Sequence, residues 1–198
     1  MKKIFITLIM SFILSSPAFS KIDYEGIEEV ASLYNSKIPI KNTVYVCSGY
    51  GCRYNNRYTF NSKMLSKLKK YFANVSNANS EREALRKAIS FIETRVGVAT
   101  GTFSDKASIG FFSAGKKDQM DCVDEALNSS YYVMIMINNG MIKYHDLEKP
   151  NWKGGLTRWT HYAAVIKDRT TGVLWAIDSG VKNNGGRPLI IQYSRWYN

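Results

Sequence analysis

Two cysteines five positions apart, in the run V-C-S-G-Y-G-C-R, constrain this chain more than any other feature. Cys47 and Cys52 are separated by a loop holding Gly49 and Gly51. Glycine lets the backbone turn tightly enough to bring the two Cα atoms inside the ~7 Å limit for bridging. A Cys47–Cys52 disulfide is therefore expected. Thr43 to Cys47 and Arg53 to Phe60 read as short strands on either side, so the bridge staples a hairpin. A disulfide in turn requires an oxidising compartment, and the first residues supply the route to one. Lys2 and Lys3 precede an apolar run from Ile4 to Leu14, followed by Ser15, Ser16, Pro17, Ala18, Phe19 and Ser20. That is the pattern of a secretory signal peptide over residues 1–20, cleaved after Ser20. The run falls short of the ~20 residues that span a bilayer, and no later stretch qualifies, so no transmembrane span is expected after cleavage. The expected location is periplasmic or secreted.

The remaining residues 21–198 suit one domain with a substantial core. Removing Lys2 and Lys3 takes the formal charge from +11 to +9. A charge this positive favours anionic partners such as cell-wall polymers, lipid headgroups or acidic proteins. An export signal and the lack of any finger or ribonucleoprotein-type motif argue against nucleic acid.

Periodicity places helices in the first half and strands in the second. Ile27, Val30, Ala31 and Tyr34 recur at helical spacing within Asp23 to Ser36. Asn61 or Ser62 caps a helix carrying Leu65, Leu68 and Phe72, with Lys63, Lys67, Lys69 and Lys70 on a solvated face. Ser80 and Glu83 form a capping box for a helix through Leu85, Ala88, Ile89, Ile92 and Val96, closed by Gly97. A long loop follows to Asp121. Cys122 to Asn139 is a buried helix stopped by Gly140. Ile142 to His145 is a brief extended piece and Pro150 to Gly155 a loop. Strands are expected at Trp159 to Lys167, Val173 to Ser179 and near Leu189 to Tyr193. The result is an α+β arrangement, with a mostly helical part over 21–100 and a core over 101–198.

Cys122 is the odd thiol among three cysteines. Lone cysteines are commonly buried and inert, but this one has unusual surroundings. In Asp121-Cys122-Val123-Asp124-Glu125-Ala126, Asp121 is an N-cap and Asp124 the N3 residue, so Cys122 falls at N1 of a helix. A helix end contributes roughly 0.3 to 1 kcal/mol, and one pKa unit is about 1.4 kcal/mol, so it lowers a thiol by about a unit at most. Asp121, Asp124 and Glu125 oppose even that. An imidazole partner is required.

Only His145 and His161 are available. His145, in K-Y-H-D, reads as a surface residue. His161 begins one strand and Asp178 ends the next. If their connection has two or four residues, position i pairs with 341 minus i, and His161 and Asp178 share a face as diagonal neighbours. Three residues would break this arrangement. Cys122 as nucleophile, His161 as base and Asp178 as the group orienting the base then fit the acyl-transfer template, with Gln119 and the Cys122 backbone N–H as candidate oxyanion donors. A tetrahedral zinc site is not expected from two histidines and these cysteines.

Asp121-Cys122-Val123-Asp124-Glu125-Ala126 resembles the D-C-x-D-x-A helix start of the bacterial transglutaminase-like cysteine proteinases. His161-Tyr162-Ala163-Ala164-Val165 and Ala176-Ile177-Asp178 resemble their histidine and aspartate strands. The likeness covers the chain from Gln119 onward. It implies a papain-like, transglutaminase-type core, periplasmic location and a Cys-His-Asp hydrolase or transferase acting on amides. Substrate does not transfer with fold, and an envelope protein is the expected substrate class on the export signal. Some relatives bind calcium through acidic residues bracketing the cysteine. Val123 stands where they carry a carboxylate, leaving Asp121 and Asp124 as the acidic pair and no cofactor as the expectation. Cleavage of peptidoglycan stem peptides is an alternative within the same chemistry. A non-catalytic envelope-binding module, using the basic face and Trp152, Trp159 and Trp196, is an alternative of another class, although core packing is the commoner fate of tryptophan.

Overall fold

The computed structural model describes residues 19–107, 113–155 and 158–198, with side chains in the last segment described from residue 160. The proposed signal peptide lies outside the described residues except for Phe19 and Ser20. In the described residues there are five helices and two antiparallel sheets, an α+β arrangement.

Helix α1 (Tyr24–Leu33) begins where the Asp23 side chain accepts the Gly26 N–H at 3.0 Å, and it buries Ile27, Val30 and Ala31. It ends short of Ser36, with Asn35 at a φ of +50°. Strands β1 (Thr43–Ser48) and β2 (Tyr54–Thr59) form the expected hairpin, closed by the Cys47–Cys52 disulfide. Asn61 caps α2 (Ser62–Tyr71) by accepting the Met64 N–H at 2.9 Å.

Helix α3 (Ala78–Thr100) departs from the expected boundaries at both ends. Its cap is Asn77, and Ser80 is the N3 partner in the capping box rather than the cap itself. Glu83 instead pairs with Arg86 at 3.1 Å. The earlier start puts Glu81 inside the helix, where it is buried and accepts the N–H groups of Lys143 and Tyr144. Gly97 does not close the helix. It lies within the helix at a point where Asn184 packs so closely that a Cβ would stand 2.7 Å from it, and Gly101 takes the left-handed C-cap at φ +87°.

Helix α4 (Cys122–Asn138) runs through the centre of the molecule, with nearly every side chain from Val123 to Met136 buried. It packs on β3, β4 and β5 of the larger sheet, and also meets β1, α1 and α3. That surrounding buries it on every side, its polar residues Asp124, Glu125, Asn128, Ser129 and Ser130 included. Its buried Asn128 is satisfied by the edge of β1, accepting from Cys47 N at 2.8 Å and donating to Cys47 O at 2.9 Å.

The larger sheet is an antiparallel meander, β3 (His145–Gly155), β4 (Arg158–Asp168), β5 (Leu174–Asp178) and β6 (Leu189–Gln192). The stretch from Pro150 to Gly155, expected as a loop, belongs to β3. Register shifts between Glu148 and Asn151, where Pro150 sits and where a missing N–H costs the ladder nothing. Ala164 pairs with Ile177 and Val165 with Ala176, the register that the 341-minus-i rule requires. Residues 169–172 make the four-residue turn, closed by Gly172 N–H donating to Asp168 O at 2.7 Å. A short helix α5 (Tyr193–Tyr197), absent from the sequence reading, follows β6 directly.

His145 is a correction. It is fully buried, with Nδ1 2.8 Å from Glu81 and Nε2 3.0 Å from Arg82 Nη1. Arginine can only donate, so Nε2 accepts and Nδ1 carries the proton given to Glu81. Arg82 reaches on to Asp168 at 3.4 Å, tying the start of α3 to β3 and β4. No helix among the described residues is long and apolar enough to cross a membrane.

Candidate active site

The start of α4 is held by carboxylates used as backbone acceptors. Asp121 Oδ1 accepts the N–H groups of Val123 and Asp124 at 3.1 and 2.9 Å, and its Oδ2 accepts from Gly51 at 3.1 Å. Asp124 accepts from Asp121 at 3.2 Å, Tyr50 at 2.9 Å and Cys52 at 2.5 Å. The donors from the stapled loop are available because Gly49, Tyr50, Gly51 and Cys52 all adopt positive φ, which turns successive N–H groups inward. The disulfide hairpin thus clamps the turn that carries Cys122.

Cys122 occupies N1, partly exposed, with its Sγ 3.7 Å from the carbonyl of Thr160. The next residue on β4, His161, stands beside this thiol and feels its charge. His161 Nε2 lies 2.8 Å from Asp178 Oδ2, so Nδ1 is the nitrogen left for Cys122. The hydrogen bond to Asp178, and then the interaction with the neighbouring Cys122, raise the His161 pKa from 6.5 to about 9 against the opposing effect of burial. Asp178 is 3% exposed.

Trp196, on α5, completes this arrangement. Its indole N–H donates to the same Asp178 Oδ2 at 2.9 Å, and its ring centroid stands 5.8 Å from that of His161. Lys153 lies over the other side of Trp196, 4.8 Å from the ring centroid, and donates to the Trp196 carbonyl. Of the three tryptophans considered for binding, Trp196 is therefore buried, Trp152 is 46% exposed, and the side chain of Trp159 lies outside the described residues. The signal for Trp196 was chemical: a buried indole N–H needs an acceptor.

Gln119 is buried, and its Nε2 donates to Ser104 O at 3.1 Å and to Asp118 at 3.2 Å. Its amide braces the loop before Cys122 and is not brought into the cavities at the thiol. The Cys122 N–H has no intrahelical acceptor at N1, while those of Val123 and Asp124 are taken by Asp121. Of the two donors considered, the Cys122 N–H is the one with no acceptor among the described residues.

Two recesses meet at Cys122. One, of about 130 Å³, is lined by Asp105, Lys106, Met120, Glu125, His161 and Gly180. The other, of about 560 Å³, is walled by Tyr34, Val123, Trp152, Thr160 and Tyr162. Gly180 keeps the first open, since a Cβ there would stand 3.7 Å from His161 and 3.9 Å from the Cys122 backbone. Behind the first recess Asp105, Glu125 and Glu93 form a buried acidic group. Burial pushes Asp105 up to about 6, Glu93 up to about 8, and Glu125 well above the carboxylate range.

Asp121 and Asp124 do not fit a calcium ion. Their oxygens already face six backbone N–H groups, whose positive ends would repel a cation. Asp124 also lies beside the sulfurs of Cys47 and Cys52, but these are bonded to each other and hold no free thiolate. No protein-family model, curated protein or solved structure matches the chain.

Proposed function

We propose that this chain is a thiol hydrolase or acyltransferase acting on peptide or isopeptide amides, with Cys122 as nucleophile, His161 as acid and base, and Asp178 as the orienting carboxylate. One observation carries the reading. A solvent-accessible cysteine at a helix N-terminus shares an imidazole with a buried carboxylate, and two recesses converge on the sulfur.

In the first step the Cys122 sulfur attacks the amide carbonyl carbon while its proton resides on His161. The tetrahedral oxyanion accepts from the Cys122 N–H. The C–N bond then breaks, the His161 proton goes to the departing amine, and a thioester remains. Water or an amine attacks the thioester, gives its proton to His161, and the C–S bond breaks to restore the thiol. Asp178 stays ionised and holds the ring so that Nδ1 faces sulfur. The order of cysteine helix, histidine strand and aspartate strand supports a papain-like, transglutaminase-type core related to the bacterial transglutaminase-like cysteine proteinases. An envelope protein is the substrate class that the disulfide and the sequence pattern favour.

Cys122 is the free cysteine of the described residues, so alkylation reads it directly. Iodoacetamide at neutral pH should modify it faster than a cysteine in an unstructured peptide, and His161→Ala should remove the advantage. Reaction at the peptide rate would overturn the proposal.

A further inference from the structure

Helix α3 carries two opposed sets of side chains. Glu93 faces inward, accepting from Gly185 N at 3.1 Å, and Gly97 follows one turn later against Asn184. At 100° per residue, Lys87, Phe91, Arg95 and Val98 lie on the far side of the helix. There Phe91 and Arg95, with Ala99, border a recess of about 410 Å³, closed by Tyr58 of β2 and by Lys63, Met64 and Lys67 of α2. Phe91 also lines a second recess of about 250 Å³, with Tyr71, Lys87, Ser90 and Arg187. The two share Phe91 as a wall, and their linings together span residues 87 to 99 of the helix, about 18 Å at 1.5 Å per residue.

Five cations line this groove, Lys63, Lys67 and Arg95 in one half and Lys87 and Arg187 in the other. All five are exposed. Among the described residues none of them pairs with a carboxylate. The acids of α3 are used elsewhere: Glu81 by His145, Glu83 by Arg86, and Glu93 by Gly185. Lys67 and Arg95 instead lie 5.1 and 5.8 Å from the centroid of Phe91. A lysine-rich helix face is ordinarily just solvated. Here the cations come from two helices and the segment before β6, and they converge on concave walls, where like charges focus the field on a counter-ion.

We propose that the α2–α3 groove is a binding site for a strand of acidic polysaccharide, whose carboxylate or phosphate groups meet the five cations in succession. A strand suits the shape because the cations stand around two adjoining recesses, so that one extended polymer can meet both sets. Nucleic acid is disfavoured because its bases need an open aromatic platform, and the central ring is occupied by Lys67 and Arg95 on its faces and by Tyr71, whose ring centroid is 5.9 Å away. The site is independent of the chemistry assigned to Cys122.

Fluorescence anisotropy of a labelled polygalacturonate oligosaccharide, at low ionic strength, tests this on the whole protein. The triple variant Lys67→Gln, Lys87→Gln, Arg95→Gln should weaken binding by at least about tenfold. A control of equal charge, Lys41→Gln, Lys116→Gln, Lys182→Gln, should bind within about twofold of wild type. Thermal melting verifies that both variants fold, and Lys67→Arg should retain affinity. Equal losses in the two triple variants would reduce the effect to net charge and overturn the proposal. So would absence of wild-type binding, or tighter binding to phosphatidylglycerol vesicles or oligodeoxythymidine than to the glycan.

Discussion

Replacing Asp178 with Asn tests the centre of the proposed site while leaving its shape intact. Asparagine can still accept from His161 Nε2 through its carbonyl oxygen, so the ring keeps its orientation but loses the negative charge beside it. The hydrogen bond to Asp178 is the largest cause of the rise in the His161 pKa from 6.5 to about 9, and Cys122 is the second. That rise is worth roughly 3 kcal/mol of preference for the imidazolium. Asp178→Asn should therefore lower the His161 pKa by at least one unit, about tenfold in the protonation equilibrium. Cys122→Ala should lower it by less. The readout is the imidazole Cε1–H resonance followed by NMR across a pH titration. The chain has only two histidines, so the signal lost in His161→Gln is that of His161. If wild-type His161 titrates near 6.5, or Asp178→Asn leaves it unmoved, the pairing of the imidazolium with the Asp178 carboxylate is wrong.

Trp196→Phe keeps a ring beside His161 but removes the indole donor to Asp178. A hydrogen bond to a charged group is worth about 1.5–3 kcal/mol, so Cys122 alkylation should slow by roughly tenfold while the His161 pKa stays level or rises. Unchanged alkylation would reduce Trp196 to packing. Stability should fall as pH rises from 5 to 9, measured as the urea midpoint. Glu93, Asp105, Glu125 and His161 all have folded pKa values above their unfolded ones, so their contribution is complete at low pH and is lost as pH passes through about 6, 8 and 9. A midpoint that climbs over this range contradicts the burial argument. Cys47→Ala with Cys52→Ala should cost roughly 2 kcal/mol by loop entropy, the bridge spanning a separation of 5 residues. No change in the urea midpoint would show that the hydrogen bonds from Tyr50, Gly51 and Cys52 hold the loop unaided.

Features decided by neighbours in the chain were legible in the sequence. Asp121 and Asp124 stand at the head of a segment with apolar residues at helical spacing, Val123, Ala126, Leu127, Tyr131, Met134 and Ile135, so the α4 cap and the N1 place of Cys122 follow from local chemistry. The pairing of β4 with β5 was also accessible, because Asp168 and Gly172 favour a tight turn and only the parity of its length was open. Features decided across the chain were not. His145 sits in a polar run, and its burial is set by Glu81, 64 residues away. Asn77 with Ser80 and Ser80 with Glu83 fit the same local pattern. Burial of Glu81 against Lys143 and Tyr144 accompanies the earlier start. Trp196 gained its acceptor only through a helix too short to announce itself by periodicity.

The acidic neighbours of Cys122 show most clearly what folding adds. Counted along the sequence, Asp121, Asp124 and Glu125 place three negative charges within a turn of the thiol and oppose its ionisation. In the fold they do not act as three free charges. Burial pushes Asp124 up to about 7, even though three backbone N–H groups pull the other way, and drives Glu125 well above the carboxylate range. Asp121 has its oxygens covered by N–H dipoles from Gly51, Val123 and Asp124. Part of the opposing charge is thus neutralised by protons and part is offset by fixed dipoles. His161 meanwhile carries positive charge up to about pH 9. The electrostatics at the sulfur therefore depend on the stapled loop as much as on the imidazole. That dependence has a measurable sign. Glu125→Gln, which removes a group already held neutral, should leave Cys122 alkylation at pH 7 within about twofold of wild type. Asp121→Asn should preserve a cap but weaken the clamp. If Glu125→Gln accelerated alkylation by tenfold or more, Glu125 would be ionised beside the thiol, and burial would not be what disarms it.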